Sequence, residues 1–180
     1  PGGSASAPPP APGSMLSIEG EEAHHALRSK RLEIGEWVEL LDGRGHVIAA
    51  RIAGARKARD LWIMDLKIES VTARKPHTPR VEVFASPPKG DRLEEMIDQL
   101  SQVGAASYTP LITARTVVEP RPTKLERLHR VAAEALKQCG RAWLLEIRPP
   151  MTFAKAALPQ PNTTILLADA TGSPPPPPSL

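Results

Sequence analysis

"PPKGDRLEEMIDQLSQVGAASYTPLIT", residues 87 to 113, decides how this chain folds. It opens on prolines, carries Leu93, Met96, Ile97, Leu100 and Val103 on one stripe at helical spacing, breaks at Gly104, and ends in strand formers from Ser107 to Thr113. "RVEVFAS" (Arg80–Ser86) reads as a strand before it, and "TKLERLHRVAAEALKQCG" as a second long helix after it. Thr123 is the expected N-cap of that helix, with Glu126 three residues on as in a capping box. Its inward stripe is Leu125, Leu128, Val131, Ala132, Ala135 and Cys139. Alternating strands and helices build a parallel sheet with crossover helices. "TTILLADA" (Thr163–Ala170) is a near-continuous apolar run, as expected of a central parallel strand covered on both faces. Such a strand needs neighbours on both sides, yet Gly172 is followed closely by five prolines, so the expectation is an incomplete, truncated α/β unit.

Upstream, the pattern is different. "GEEAHHALRSKRL" (Gly20–Leu32) reads as a short helix, acidic at its start and basic at its end as the helix dipole favours. Two strands, Trp37–Leu41 and His46–Ile52, join across Asp42-Gly43, a strong hairpin signal, and "LWIMDLKIESV" alternates as a third. The expected product is a small barrel or curled sheet over residues 15–73. Thr72–Pro79 is a polar, proline-bearing linker to the α/β unit at 80–172, and residues 1–14 and 173–180 are disordered, proline-rich tails. The chain starts at Pro1, and Met15 is a plausible true start.

Composition excludes several classes. Neither tail has an apolar run long enough for a signal peptide or membrane span, so a soluble cytoplasmic protein is expected. Cys139 is the single cysteine, which rules out an intrachain disulfide and a cysteine-based zinc site. The net charge is +3, with residues 15–75 carrying 11 Lys/Arg against 10 Asp/Glu and residues 76–170 carrying 12 against 10. Any nucleic-acid footprint must therefore come from local clusters.

Three clusters carry possible chemistry. Glu134, Gln138 and Arg141 fall at i, i+4 and i+7, on the helix face turned from the apolar stripe; they read either as a polar wall toward substrate or as a solvated face with Arg141 capping terminal carbonyls. "PPKGDR" sets Lys89 at a strand-to-helix junction suited to an anion, without P-loop spacing. "HHALRSKR" gathers Arg28, Lys30 and Arg31, either as a dipole-compatible helix end or as a grip on phosphates. His24 and His25 point apart with no third ligand, so no metal is expected. Cys139, on the core stripe, is expected to be a buried hydrophobe.

In order and spacing, "GEEAHHALRSKRLEIGEWVELLDGRG", "PPKGDRLEEMIDQLSQVGAASYTPLITARTVV" and "EALKQCGRAWLLEIRPP" resemble the ribosomal RNA small subunit methyltransferase E family. The resemblance implies an α+β two-domain chain: a PUA-like β-barrel followed by a SPOUT-type α/β domain. It implies a homodimer that methylates a uridine N3 of 16S ribosomal RNA with S-adenosylmethionine; the alternative is a non-catalytic RNA-binding or dimerising fragment. Carried over by motif, Arg28, Arg31, Lys89, Arg92, Arg115, Glu134, Gln138 and Arg141 would bind RNA, with Lys89, Gly90 and Arg92 as the "KG-R" turn. Cys139 and Gly140 complete "E-QCGR". Ala168, Asp169 and Gly172 would be the approach strand to the cofactor, whose glycine-rich loop has no counterpart here, and no general base is assigned. The family's aromatic first strand is replaced by the Pro/Ala/Gly-rich segment before Met15, so the barrel is expected to lack an edge strand.

Overall fold

The computed structural model describes residues 8–116, 122–158, 161–169 and 171–172. Residues 1–7 and 173–180, the outer parts of both expected tails, lie outside the described residues.

The first unit is a four-stranded antiparallel sheet in the order β1-β4-β3-β2. β1 is Met15–Glu19, β2 Trp37–Leu41, β3 His46–Ala58 and β4 Leu61–Ala73. The edge strand expected to be missing is present: β1 pairs with β4 from Met15↔Lys67 to Glu19↔Ile63. Five residues that alternate Leu16 and Ile18 inward need no aromatic to pair with an existing strand. Even the stretch before Met15 is tied down, since the Gly13 N–H donates to the Ile68 carbonyl and the Ile68 N–H to that of Ser14.

β3 runs six residues past the expected end at Ile52, and β4 takes in Thr72 and Ala73, so the linker starts at Arg74. Alternation does not show this because bulges at Ala49/Ala50 and Ile52/Gly54 shift the periodicity. Ile48, Ala50, Ile52, Met64, Leu66 and Ile68 form the core of this unit, closed by Ala23. Ala23 belongs to α1, which covers only Glu21–His24. The chain then widens into a single π turn at His25–Ser29 and leaves the helix, with Arg31 in the left-handed region at φ 55°. So short a segment has no helical stability of its own, and the dipole-matched charges do not carry it to Leu32.

The second unit holds β5 (Glu82–Ala85), α2 (Arg92–Val103), β6 (Ser107–Ile112), α3 (Pro122–Cys139), β7 (Glu146–Ile147), β8 (Met151–Thr152) and the short α4 (Phe153–Ala156). α2 starts after the Pro87–Gly90 loop and ends at Gly104, left-handed at φ 84°, as its sequence requires. α3 begins on Pro122, so Thr123 is its second residue and not its cap; proline is suited to a first turn because that N–H has no helical partner.

β6 is the central strand. It pairs in parallel with β5 on one side and with the two-residue β7 and β8 on the other. Ser107 to Leu111 are all buried, and Tyr108 packs with Leu93, Ile97, Leu128, Ala132 and Leu145 beneath α2 and α3. Residues 163–169 take no part in a ladder; Ile165, Leu166 and Leu167 are more than half exposed, and Ala170 lies outside the described residues. The apolar run thus does not form the expected central strand, and β6 has β5 on one side and β7 and β8 on the other. Cys139 is also corrected. It is exposed together with Lys137, Gln138 and Gly140, since the last turn of α3 runs past the covered part of the sheet.

The two units meet through main chain. The Gly45 N–H donates to the Ala142 carbonyl (2.8 Å), the Leu144 N–H to Gly43 (2.9 Å), and the Trp143 indole N–H to Arg74 (2.9 Å). Gly45 sits at φ 101°, and any Cβ there would overlap the Trp143 ring. Gly45→Ala is therefore expected to lower unfolding stability by about 2 kcal/mol or more, read from urea melts. A loss below about 0.5 kcal/mol would mean that the Trp143 seat is not a tight one.

Candidate functional site

The motif residues from the sequence fall into three places. On the first unit, the Arg28 guanidinium lies 5.6 Å from the Trp62 ring, Lys57 6.0 Å from the same ring, and the His24 imidazole 6.3 Å from it at a 49° tilt. Arg31 is exposed in the left-handed turn that ends the helical segment.

The second place is the carboxyl edge of the parallel sheet. Lys89, Gly90 and Arg92 follow β5, and Arg115 follows β6. The turn at Arg115 is built by hydroxyls: Thr116 Oγ1 accepts from the Thr113 N–H (2.7 Å) and donates to the Leu111 carbonyl (3.2 Å), while Ser86 Oγ donates to that same carbonyl. The loops after β5 and β6 are thus stitched side by side, and the carboxyl edge is where open α/β sheets bind ligands. Lys89, Arg92 and Arg115 are all exposed there.

The third place is the opposite edge. α3 runs antiparallel to β6, so Glu134, Gln138 and Arg141 end up at the amino edge, beside the first unit, where Lys137 bonds both Glu134 (2.6 Å) and Glu22 (2.7 Å). They lie at the edge opposite Lys89 and Arg115, although all of them were expected to bind RNA. Arg141 is committed: its Nε–H donates to the Gln102 carbonyl (2.8 Å), and its guanidinium lies so close to Gly104 that a Cβ there would overlap it. It caps terminal carbonyls, as one of the two sequence readings had it, but those of α2 rather than α3.

Sequence reasoning missed a row across the outer face of the first sheet. Met15, Lys67, Arg51 and Trp37 are successive cross-strand partners, and the Arg51 guanidinium stacks 4.2 Å from the ring of Trp37, itself 53% exposed. The signal was present as a tryptophan and a cation on outward positions, but only the strand register brings them together.

The electrostatics of the second unit centre on Arg148. It bonds Glu82 through two nitrogens (3.0 and 2.9 Å) and reaches Glu146 (3.0 Å), while Arg80 bonds Glu82 from the side. Hydrogen bonds from Arg148, and then from Arg80, outweigh partial burial and hold the Glu82 carboxyl below its ordinary value of 4.5. Burial pushes Tyr108 up to about 12, and its hydroxyl donates to the Ala85 carbonyl. Ser107 Oγ and Thr109 Oγ1 are buried without a partner among the described residues.

Of the expected cofactor approach, Ala168, Asp169 and Gly172 are exposed. The Asp169 carboxylate accepts from the Thr171 N–H (2.8 Å) and hydroxyl (2.5 Å), which closes a local turn rather than a cradle. These described residues do not fit a nucleoside-bearing cofactor by themselves. Among the described residues, no group of three metal-ligating side chains occurs, and no helix is long and apolar enough to cross a membrane.

A family model described as "RNA methyltransferase domain" matches residues 75–177, and one described as "RNA methyltransferase PUA domain" matches residues 18–59. The chain belongs to this RNA methyltransferase family. It is 31% identical over 143 residues to ribosomal RNA small subunit methyltransferase E of Synechocystis sp., covering 79% of this chain and 45% of that protein. With the Bacillus subtilis protein of the same name it is 29% identical over 130 residues, covering 70% of this chain and 50% of that one. The chain spans about half the length of the curated relatives it matches. A Legionella pneumophila methyltransferase structure, solved with bound SAM, superposes with a TM-score of 0.70 at 27% identity, over 82% of this chain and 62% of that one. The PUA-like unit followed by a SPOUT-type α/β unit, expected from the sequence, is borne out.

Two tests follow from the geometry. Arg141→Ala is expected to cost about 1–2 kcal/mol in urea melts, because it removes a charged hydrogen bond, whereas Arg28→Ala stays within about 0.5 kcal/mol. Glu82 has a lowered folded pKa, so its contribution to stability is present above the unfolded pKa and is lost as pH falls through the folded one. Unfolding free energy should drop between about pH 5 and pH 3, and Glu82→Gln should flatten part of that slope. An unchanged slope in the variant would show that the Arg148 bridge makes no such contribution.

Proposed function

We propose that this chain works in S-adenosylmethionine-dependent methylation of a uridine N3 in 16S ribosomal RNA, in the cytoplasm and as a homodimer. The observation that carries the reading is the tandem match: a PUA-type unit and an RNA methyltransferase unit, joined by main-chain hydrogen bonds that hold them in one relation. Relatives named for ribosomal RNA methylation and a SAM-bound structural neighbour support the substrate and the donor.

In this reading the chain's own residues hold and orient RNA. Arg28 and Arg31 on the first unit and Lys89 at the carboxyl edge contact phosphates. Arg115 and Arg92 stand at the edge where a target nucleotide would be placed, so that orientation supplies much of the rate. Glu134 and Gln138 face RNA at the opposite edge, and Arg141 acts there by shaping the end of α2. The Arg51–Trp37 stack offers an exposed aromatic and cation for an unpaired base.

One observation favours a second reading, in which the chain binds RNA without catalysis: Asp169 bonds back to Thr171, and Asp169, Thr171 and Gly172 are exposed. The two separate in one experiment. Small-subunit ribosomal RNA incubated with the chain and methyl-tritiated S-adenosylmethionine should acquire label that digests to N3-methyluridine. RNA binding without label, together with no calorimetric heat from the cofactor, would establish the binding-only reading instead. Label on another base would overturn the N3 assignment while keeping the activity.

A further inference from the structure

Between the two units lies a cleft of about 380 Å³ whose walls come from both and from the connector that joins them. Arg74, Lys75, His77, Arg80 and Arg141 line it, against one carboxylate, Glu39. Two of these cations are already used: Arg80 bonds Glu82, and Arg141 holds the Gln102 carbonyl. Arg74 and Lys75 are different. Among the described residues neither has a carboxylate within 4.0 Å, and both are exposed.

The backbone of Arg74 is nevertheless fixed. The Arg74 N–H donates to the Gly45 carbonyl (2.7 Å) and its carbonyl accepts the Trp143 indole N–H (2.9 Å), so each unit holds one side of the same peptide segment. Pro76 restricts the chain just beyond Lys75. The result is two long, unpaired cations on a rigid base at the mouth of a concave, positively charged groove, which concentrates field on an incoming anion.

We propose that this interdomain cleft seats a phosphodiester of the bound RNA, with Arg74 and Lys75 as its contacts. The proposal rests on the RNA reading above and adds a site to it. The lining favours backbone over a free nucleotide: its charged groups are mostly cationic, and its one indole, Trp143, is packed on Gly45 with its N–H committed, which leaves the small His77 imidazole as the single ring open to a base. Contacts of this kind fix register and carry no sequence information.

The test is fluorescence anisotropy of a fluorescein-labelled 16S ribosomal RNA hairpin across a salt series, with the whole chain. Arg74→Ala with Lys75→Ala should weaken binding at every salt concentration and lower the slope of log K against log[salt] by roughly 0.7–0.9, the value for one lost phosphate contact. The pair Arg130→Ala with Lys155→Ala removes the same two charges elsewhere and should change the slope much less. Melting curves establish that each variant is folded, and Arg74→Lys should recover most of the affinity. An unchanged slope in the cleft variant of a wild type that binds RNA overturns the cleft alone. Equal loss in both double variants assigns the effect to bulk charge and overturns it too, whereas a wild type without RNA affinity overturns the RNA reading with it.

Discussion

One tryptophan fixes the relation between the two halves of this molecule. The Trp143 ring lies where only a glycine can face it, at Gly45, and its N–H is bonded to the carbonyl of Arg74, the first residue after β4. The hairpin turn, the connector and the segment after α3 therefore meet at one point. Short main-chain hydrogen bonds cannot slide as side-chain contacts can, so the first unit closes over the amino edge of the parallel sheet. That leaves the carboxyl edge, with its loops after β5 and β6, as the free end of the second unit, in keeping with where open α/β sheets place their ligands.

The sheet tolerates this arrangement because of β6. A strand buried along nearly its whole length is usually apolar, yet this one carries Ser107 and Thr109. Both lie on the face opposite Tyr108, and Ser107 sits in register between Glu82 and Glu146. Arg148 ties those two acids together, so its ion pairs cross the strand at Ser107. Small side chains at this position leave room for the crossing. A Val in place of Ser107 would remove the orphan hydroxyl but crowd the bridge, which makes the unpartnered oxygen the lesser cost.

Much of this was legible in the sequence where periodicity and punctuation agree. The stripe of α2 as far as Leu100 with its stop at Gly104, the inward face of α3 as far as Ala135 and the Asp42-Gly43 hairpin depend on neighbours three or four residues away, and the structure keeps them; Val103 and Cys139, in the last turns, are exposed. What was not legible depends on pairing between distant segments. Two bulges hide the second half of β3 from an alternation count. β7 and β8, two residues each, are strands only because β6 lies beside them. The apolar run at 163–169 shows the converse, since hydrophobicity alone, without pairing to a neighbour, does not make a strand. Among the candidate site residues, motif order set Lys89, Arg115 and Arg141 in one series, but linear order does not record which edge of a sheet a helix returns to, and the structure puts Arg141 at the edge opposite the other two.

The same distinction explains how a nearly charge-balanced chain can present a surface for a polyanion. Arg56, Arg80, Lys124, Lys137 and Arg148 are paired with carboxylates, and Arg141 with a carbonyl; these cations hold the fold and have little to offer a phosphate. Arg28, Arg31, Lys89 and Arg115, like the two cations of the connector, have no carboxylate within bridging distance among the described residues. Binding of nucleic acid releases counterions only where a cation is free to replace them. On the proposed RNA reading, the charge that matters is therefore not the net +3 but these unpaired cations on the first unit, the connector and the carboxyl edge. On that reading, a ligand that touches all three must be long, as a ribosomal RNA segment is and a mononucleotide is not.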